Sequence, residues 1–188
     1  MKRILIPIIL AFFSFNAISQ NKAEIFPKKL KIENKELKLR GTGTRVKLWM
    51  DMYTLGLFIL DTQQNASQVV SSNETAVVRL SIISGLITAE KMNKAIRDGF
   101  KKSTQGKPEA IQNEINTFLN VFKQGIDKKD LFQFTYQTKE GTSITKNGKQ
   151  LATIPGLAFK KALWGIWLGE NPVDKKLKAR LLKKQPGI

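Results

Sequence analysis

The stretch LRGTGTRVKLWMDMYTLGLFIL, residues 39–60, carries the strongest structural signal in the chain. Its second half, MYTLGLFIL (52–60), has apolar side chains at both odd and even positions, so both faces of an extended segment would be covered. Strands of this kind lie in the middle of a sheet. The first half holds Gly41-Thr-Gly43-Thr-Arg45, where small residues interrupt the apolar run. The stretch therefore predicts a central β-strand that follows a glycine-bearing segment.

The segments on either side alternate between strand patterns and helix patterns. Before it, LKIENKELKL (30–39) predicts two short strands joined by a polar turn at 33–35. After it, apolar periodicity predicts strands at 76–84 and 130–137, and Asn147-Gly148 predicts a hairpin. Helices are predicted at 89–102, with Thr88 as the cap, from Pro108 to the break at Gly125, at 157–168 and at 174–184. This order predicts one α+β domain over residues 20–188, with a mostly antiparallel sheet and a layer of helices on one face.

Residues 1–19, MKRILIPIILAFFSFNAIS, have the parts of a secretory signal peptide. A Lys-Arg pair precedes the apolar run 4–13, and Ala17 and Ser19 fit the small-residue rule for cleavage after Ser19. The apolar run is shorter than the roughly 20 residues that span a bilayer; a retained N-terminal anchor is the alternative. We therefore expect a periplasmic or secreted protein, and no cysteine follows the cleavage site to make it a lipoprotein.

The composition excludes several classes of enzyme. The 188 residues include no histidine and no cysteine, so the chain has no Ser-His-Asp or Cys-His nucleophile system and no conventional zinc or thiolate site. No two acidic residues fall in an apolar context, as a paired-carboxylate glycosidase would need. We therefore assign no catalytic residue, no metal site and no cofactor.

The formal net charge of +17 raises the question of a polyanionic partner. The lysines are spread as pairs along the whole chain, and no helix-turn-helix or RNA-binding aromatic motif accompanies them, so we expect no nucleic acid partner. The densest basic segment is 175–184. It is interpreted either as the solvated face of a helix or as a point of peripheral contact with an anionic membrane.

Three segments match one family pattern in the same order along the chain. Residues 39–60 contain Gly-x-Gly-x-Arg followed by an aromatic-bearing strand, residues 141–159 form a hairpin, and FKKALWGIWLGENPVDKKLKARLL (159–182) contains a helix, an Ile-Trp-Leu-Gly turn and a last basic helix. Together they resemble the chalcone isomerase superfamily, in particular its exported bacterial members, over residues 28–183. The resemblance implies an open-faced β-sandwich: a large antiparallel sheet, helices on one face, and a ligand cleft between them.

The resemblance also implies a candidate ligand site. Arg45 falls on the family's arginine after Gly-x-Gly-x, and Tyr53 falls near the threonine that orders a catalytic water in the enzymes. In the related fatty-acid-binding members, a tyrosine works with that arginine on the carboxylate. Because the segment 89–100 contains no tyrosine at all, the catalytic set of the plant enzymes is mostly replaced by apolar residues. We expect the apolar walls of the cleft to come from the strand and the first long helix, namely Leu55, Leu57, Met92 and Ile96.

Arg45 and Tyr53 can share one carboxylate only if the chain reverses between them. Eight residues of straight strand would hold them about 26 Å apart, whereas facing side chains of an antiparallel pair lie about 5 Å apart. The hypothesis therefore requires a reversal at residues 48–50. The alternative is that Arg45 pairs with Asp51 or another acid and that Tyr53 is an ordinary core residue.

We therefore expect an exported, non-catalytic and monomeric protein that holds a fatty acid or a similar amphiphilic small-molecule anion in the cleft. One alternative is an isomerase of the chalcone isomerase type, acting on an unknown substrate through Arg45 and Tyr53. The other is a structural or interaction protein with a vestigial cleft.

Overall fold

The computed structural model describes residues 25–63 and 65–183. The predicted signal peptide, residues 1–19, lies outside the described residues. Within them, seven strands form one antiparallel sheet in which each strand pairs with its neighbour along the chain: β1 (Lys29–Ile32), β2 (Lys35–Lys47), β3 (Met50–Ile59), β4 (Ala76–Ile82), β5 (Leu131–Gln137), β6 (Gly141–Lys146) and β7 (Lys149–Ile154).

In the same described ranges, five α-helices lie between and after the strands. They are α1 (Ala66–Ser71), α2 (Ala89–Ser103), α3 (Gln112–Asn120), α4 (Leu157–Leu168) and α5 (Lys175–Leu182), and 3₁₀ turns at Glu109–Ile111 and Val121–Gln124 flank α3. Thr88 caps α2 as predicted, because its hydroxyl accepts from the Lys91 N–H. No helix in the described part of the chain is long and apolar enough to cross a membrane.

The helices pack on one face of the curled sheet and enclose the main core. That core joins residues such as Leu55, Val78 and Phe134 of the strands to Phe118 and Trp164 of the helices. On the opposite face a smaller apolar cluster forms around Leu37, Leu39, Phe58 and Val77. The predicted α+β, open-faced sandwich with one layer of helices is confirmed.

The glycine-bearing segment 39–45 is part of strand β2, where we expected an interruption. A Cβ atom at Gly41 would lie 2.4 Å from the Arg180 carbonyl oxygen, and one at Gly43 would lie 2.8 Å from Leu177 Cδ1. Both contacts belong to α5, so the glycines allow this helix to lie directly on the strand. The small residues therefore serve helix-on-sheet packing.

The chain reverses at residues 48–49, as the Arg45–Tyr53 hypothesis requires. Strands β2 and β3 form a hairpin whose last pair is Lys47 and Met50, and Arg45 is the direct partner of Tyr53 across it. Side chains of directly paired residues lie on the same face of a sheet. Arg45 and Tyr53 therefore both lie on the face that carries the helices.

Candidate functional site

A cleft of about 520 Å³ opens between the β2–β3 hairpin, the end of β4 and helices α2 and α4. Its wall is mainly apolar and aromatic, and is formed by Met52, Leu80, Ile87, Met92, Ile96, Phe118, Phe122, Phe134, Leu163, Ile166, Trp167 and Val173 among others. Its polar lining residues are almost all cationic: Arg45, Lys47, Lys91, Lys94 and Lys102, together with Asp98 and the Tyr53 hydroxyl. The cleft is thus an apolar slot with a positively charged rim.

Arg45 reaches the cleft from β2 and is held by an ion pair. Its Nη1 donates to Asp174 Oδ2 at 2.7 Å, and Asp174 also caps α5 by accepting from the N–H groups of Lys176 and Leu177. Burial alone would raise the pKa of Asp174, but the hydrogen bond from Leu177 and the bond and charge of Arg45 outweigh it and lower the pKa. Asp174 is therefore ionised at neutral pH and orients the guanidinium without enclosing it.

Tyr53 lies beside Arg45 with its hydroxyl oriented by a tryptophan. The Trp167 Nε1–H donates to the Tyr53 hydroxyl oxygen at 3.3 Å, which leaves the phenolic proton to be donated. Burial raises the pKa of Tyr53, although the bond from Trp167 and the charge of Arg45 act against it. The group is therefore a neutral hydrogen-bond donor at neutral pH, on the wall of the cleft beside a guanidinium.

Arg45 both forms an ion pair and lines the cleft. Arg45 does pair with an acid, but the acid is Asp174, 129 residues away, and Asp51 is not its partner. The ion pair does not withdraw the side chain from the cleft, since Arg45 and Tyr53 both line it. An ion pair and a ligand site are compatible here because a guanidinium has five N–H donors.

Four of the six predicted site residues line the cleft and two do not. Arg45, Tyr53, Met92 and Ile96 line it. Leu55 and Leu57 do not: both are fully buried in the core. Their strand partners are Gly43 and Gly41, where α5 lies on the sheet and closes that region. The strand wall is formed by Met52 and Leu80 instead.

Several residues that line the cleft were not predicted from the sequence. Lys91, Lys94, Asp98 and Lys102 recur every three or four residues on α2 and form one stripe of that helix. This spacing was visible in the sequence, but it does not reveal that the stripe borders a cleft. Phe118, Phe122 and Phe134 are buried in the core, yet they also line the cleft.

Apart from its lysines and Asp98, helix α2 contributes only apolar side chains to the lining of the cleft. The asparagine of α2, Asn93, is not among the lining residues. Gly99 packs against α4, since a Cβ there would lie 2.9 Å from Ile166 Cγ2. Among residues 25–63 and 65–183, no group of three or more His, Cys, Asp or Glu side chains could hold a metal ion. The arrangement is suited to holding an amphiphilic anion.

Comparison with known proteins agrees with this architecture. No curated protein sequence matches the chain significantly. A solved structure of a fatty-acid binding protein from Arabidopsis thaliana is similar in fold, with a TM-score of 0.61 and 16% sequence identity over 84% of this chain and 90% of the other. The model of the chalcone isomerase-like family matches residues 19–183. The chain therefore belongs to the chalcone isomerase-like family.

Proposed function

We propose that this protein binds a fatty acid or a similar amphiphilic carboxylate in the cleft and catalyses no reaction on it. The observation that carries the proposal is the position of the Arg45–Tyr53 pair on the mainly apolar wall of a cleft of about 520 Å³. This volume lies in the usual range for small-molecule sites. The ligand class follows from the apolar wall of the cleft and from its hydrogen-bond donors.

The apolar wall accounts for the acyl chain. Burial of each methylene contributes about 0.8 kcal/mol, and the wall offers aromatic and aliphatic side chains such as Phe118, Phe122 and Met92. A buried carboxylate needs compensating donors. Arg45 and Tyr53 provide a charged donor and a neutral one, and the rim lysines outnumber the single rim acid Asp98. This distribution favours an anion over a cationic or neutral head group.

Two similarities support the same ligand class. The chain belongs to the chalcone isomerase-like family, and a solved structure of similar fold is that of a fatty-acid binding protein. We extend that property to this chain because its own cleft has the apolar wall and the paired donors that such a ligand needs.

The test is a calorimetric titration of a long-chain fatty acid into the wild type and three variants. Charge-assisted hydrogen bonds contribute about 1.5–3 kcal/mol, so Arg45→Ala should weaken binding roughly 10- to 100-fold. Tyr53→Phe should cost less, since it removes one neutral donor. Arg45→Lys should restore only part of the loss, because lysine lacks the planar fork. Unchanged affinity in Arg45→Ala would show that the carboxylate binds elsewhere.

The non-catalytic part of the proposal has its own test. Loss of chalcone absorbance with purified protein should not exceed the rate in buffer, because α2 presents no tyrosine to the cleft. A rate many-fold above buffer that disappears in Arg45→Ala would establish an isomerase instead.

We also propose that the protein is exported and acts in the periplasm or outside the cell. The support is the Lys-Arg pair, the apolar run 4–13 and the Ala17-x-Ser19 pattern. N-terminal sequencing of the protein from its host should begin at or near Gln20. An intact Met1 on a cytoplasmic protein would contradict this.

A further inference from the structure

The tip of the β2–β3 hairpin exposes large apolar side chains to solvent. Trp49 is 94% exposed and Leu48 is 69% exposed, and Val46, Met50 and Leu86 are also exposed. We call these five residues the tip surface. Single exposed apolar residues are common on protein surfaces, but a contiguous group of them marks an interaction site.

The backbone of the turn is unfavourable for the residues that occupy it. Leu48 and Trp49 have φ angles of 49° and 64°, and two-residue hairpin turns with positive φ at both positions strongly favour Asn-Gly. The β6–β7 hairpin of this protein uses that pair, Asn147 and Gly148, with φ angles of 52° and 83°. The chain thus holds a leucine and a tryptophan, both exposed to solvent, in a conformation that costs folding free energy.

The tip surface adjoins the rim of the cleft and is surrounded by lysines. The Met52 carbonyl accepts from the N–H groups of Ile83 and Ser84, which places the loop carrying Leu86 beside the hairpin. Lys91 donates to the Leu86 carbonyl, and Lys47, Lys91, Lys94 and Lys102 line the cleft together with Leu86. The nearby acids on the hairpin and on α2 are Asp51, Glu90 and Asp98, whereas α2 alone carries five Lys and Arg residues.

We propose that the tip surface docks on an anionic lipid bilayer, with Trp49 and Leu48 in the headgroup region and the rim lysines on the lipid phosphates. Tryptophan is enriched at membrane interfaces because its ring is apolar with one polar edge. Lysines near an anionic surface are attracted to it. A second copy of this chain fits less well, since a tip-to-tip contact would bring the same lysines together. In this position the cleft would open towards the lipid, so an amphiphile could enter without crossing water.

The test uses vesicles of phosphatidylcholine with and without phosphatidylglycerol, and the chain from Gln20 onward. This chain retains every described element and lacks the apolar run 4–13, which would itself bind lipid. Of the three tryptophans, Trp164 and Trp167 are 0% and 6% exposed, but Trp167 lines the cleft. The change of emission that is lost when Trp49 is replaced therefore reports Trp49. We expect a blue shift and co-flotation with the anionic vesicles, and quenching by lipids brominated on the acyl chains.

The decisive variant replaces the turn with the one that the protein uses elsewhere: Leu48→Asn with Trp49→Gly. This change relieves the positive-φ residues and should leave the thermal midpoint equal or higher, while co-flotation should fall roughly 10-fold or more because the inserted side chains are gone. Replacing Lys47, Lys91 and Lys94 with Gln should weaken binding further at low salt, roughly fivefold per lysine. The matched control replaces Lys28, Lys31 and Lys139, which are also exposed but lie away from the tip.

Three results would overturn the inference. One is equal flotation of the turn variant and the wild type, which would place lipid binding elsewhere, for example on α5. Another is an equal loss in both lysine triples, which would reduce the effect to net charge. The third is a concentration-dependent dimer in place of vesicle binding, abolished by the turn variant. None of these results depends on whether the cleft binds a fatty acid, because no ligand is added.

Discussion

Asp174 competes with the proposed ligand for the same guanidinium, and its removal should strengthen ligand binding. The Asp174 carboxylate lies 2.7 Å from Arg45 Nη1 and also caps α5. Asn is as good an N-cap as Asp, so Asp174→Asn keeps the cap and the shape of the side chain while it removes the negative charge. We expect this variant to bind a fatty acid more tightly than the wild type.

The size of the gain follows from the distance between the two carboxylates. If both accept from one guanidinium they lie about 5 Å apart, where two unit charges repel by about 3 kcal/mol at an effective dielectric constant of 20 and by about 1 kcal/mol in water. The side chains of Arg45 and Asp174 are 26% and 16% exposed. An intermediate repulsion of about 1–2 kcal/mol corresponds to an affinity gain of roughly 5- to 30-fold.

The assay is titration calorimetry of a fatty acid and of the alcohol with the same chain length. Asp174→Asn should raise the affinity for the acid and leave that for the alcohol almost unchanged, since the alcohol carries no charge. Asp61→Asn is the matched control: Asp61 also forms an ion pair, with Lys38 at 2.7 Å, but it does not line the cleft.

A weaker or unchanged affinity for the acid in Asp174→Asn, with the fold intact by circular dichroism, would refute the reasoning. It would mean that the carboxylate does not bind at Arg45, or that Asp174 orients Arg45 more than it competes. An equal gain for acid and alcohol would point to a change in the apolar wall.

Two further predictions concern stability. Gly41→Ala should destabilise the protein by about 1–3 kcal/mol and lower its thermal midpoint, because the added Cβ would lie 2.4 Å from the Arg180 carbonyl oxygen. Gly85→Ala is the control and should not lower the midpoint, because no atom lies within 4 Å of the added Cβ. Equal midpoints for the two variants would disprove the close packing of α5. Lys160→Met should destabilise the protein, since Lys160 donates to three carbonyls at the end of α1. Burial and the charge of Lys161 lower the pKa of Lys160 to about 8, from 10.5, so unfolding takes up a proton at pH values between these two. The free energy of unfolding of the wild type should therefore rise with pH across this window, relative to that of Lys160→Met. The same pH dependence in both proteins, measured by denaturant unfolding, would contradict this.

Local patterns in the sequence were sufficient for most elements of the fold. The apolar coverage of residues 52–60 predicted a central strand and β3 is one, paired on both sides. Asn147-Gly148 predicted the β6–β7 hairpin, and Thr88 predicted the start of α2. These features depend on backbone preferences and side-chain periodicity within a few neighbouring residues. They can therefore be predicted from a local stretch of sequence.

The resemblance to the chalcone isomerase superfamily implied that Arg45 and Tyr53 meet, and the length of a straight strand set the condition that the chain must reverse at 48–50. What only the tertiary structure decided was their surroundings. The partner of Arg45 lies 129 residues away, and the strand wall of the cleft is formed by Met52 and Leu80 because α5 covers the region of Leu55 and Leu57. Periodicity identifies which residues are apolar, but a buried leucine under a helix and one beside a cleft have the same pattern. The difference arises from where elements distant in sequence pack, and this depends on contacts summed over the whole chain.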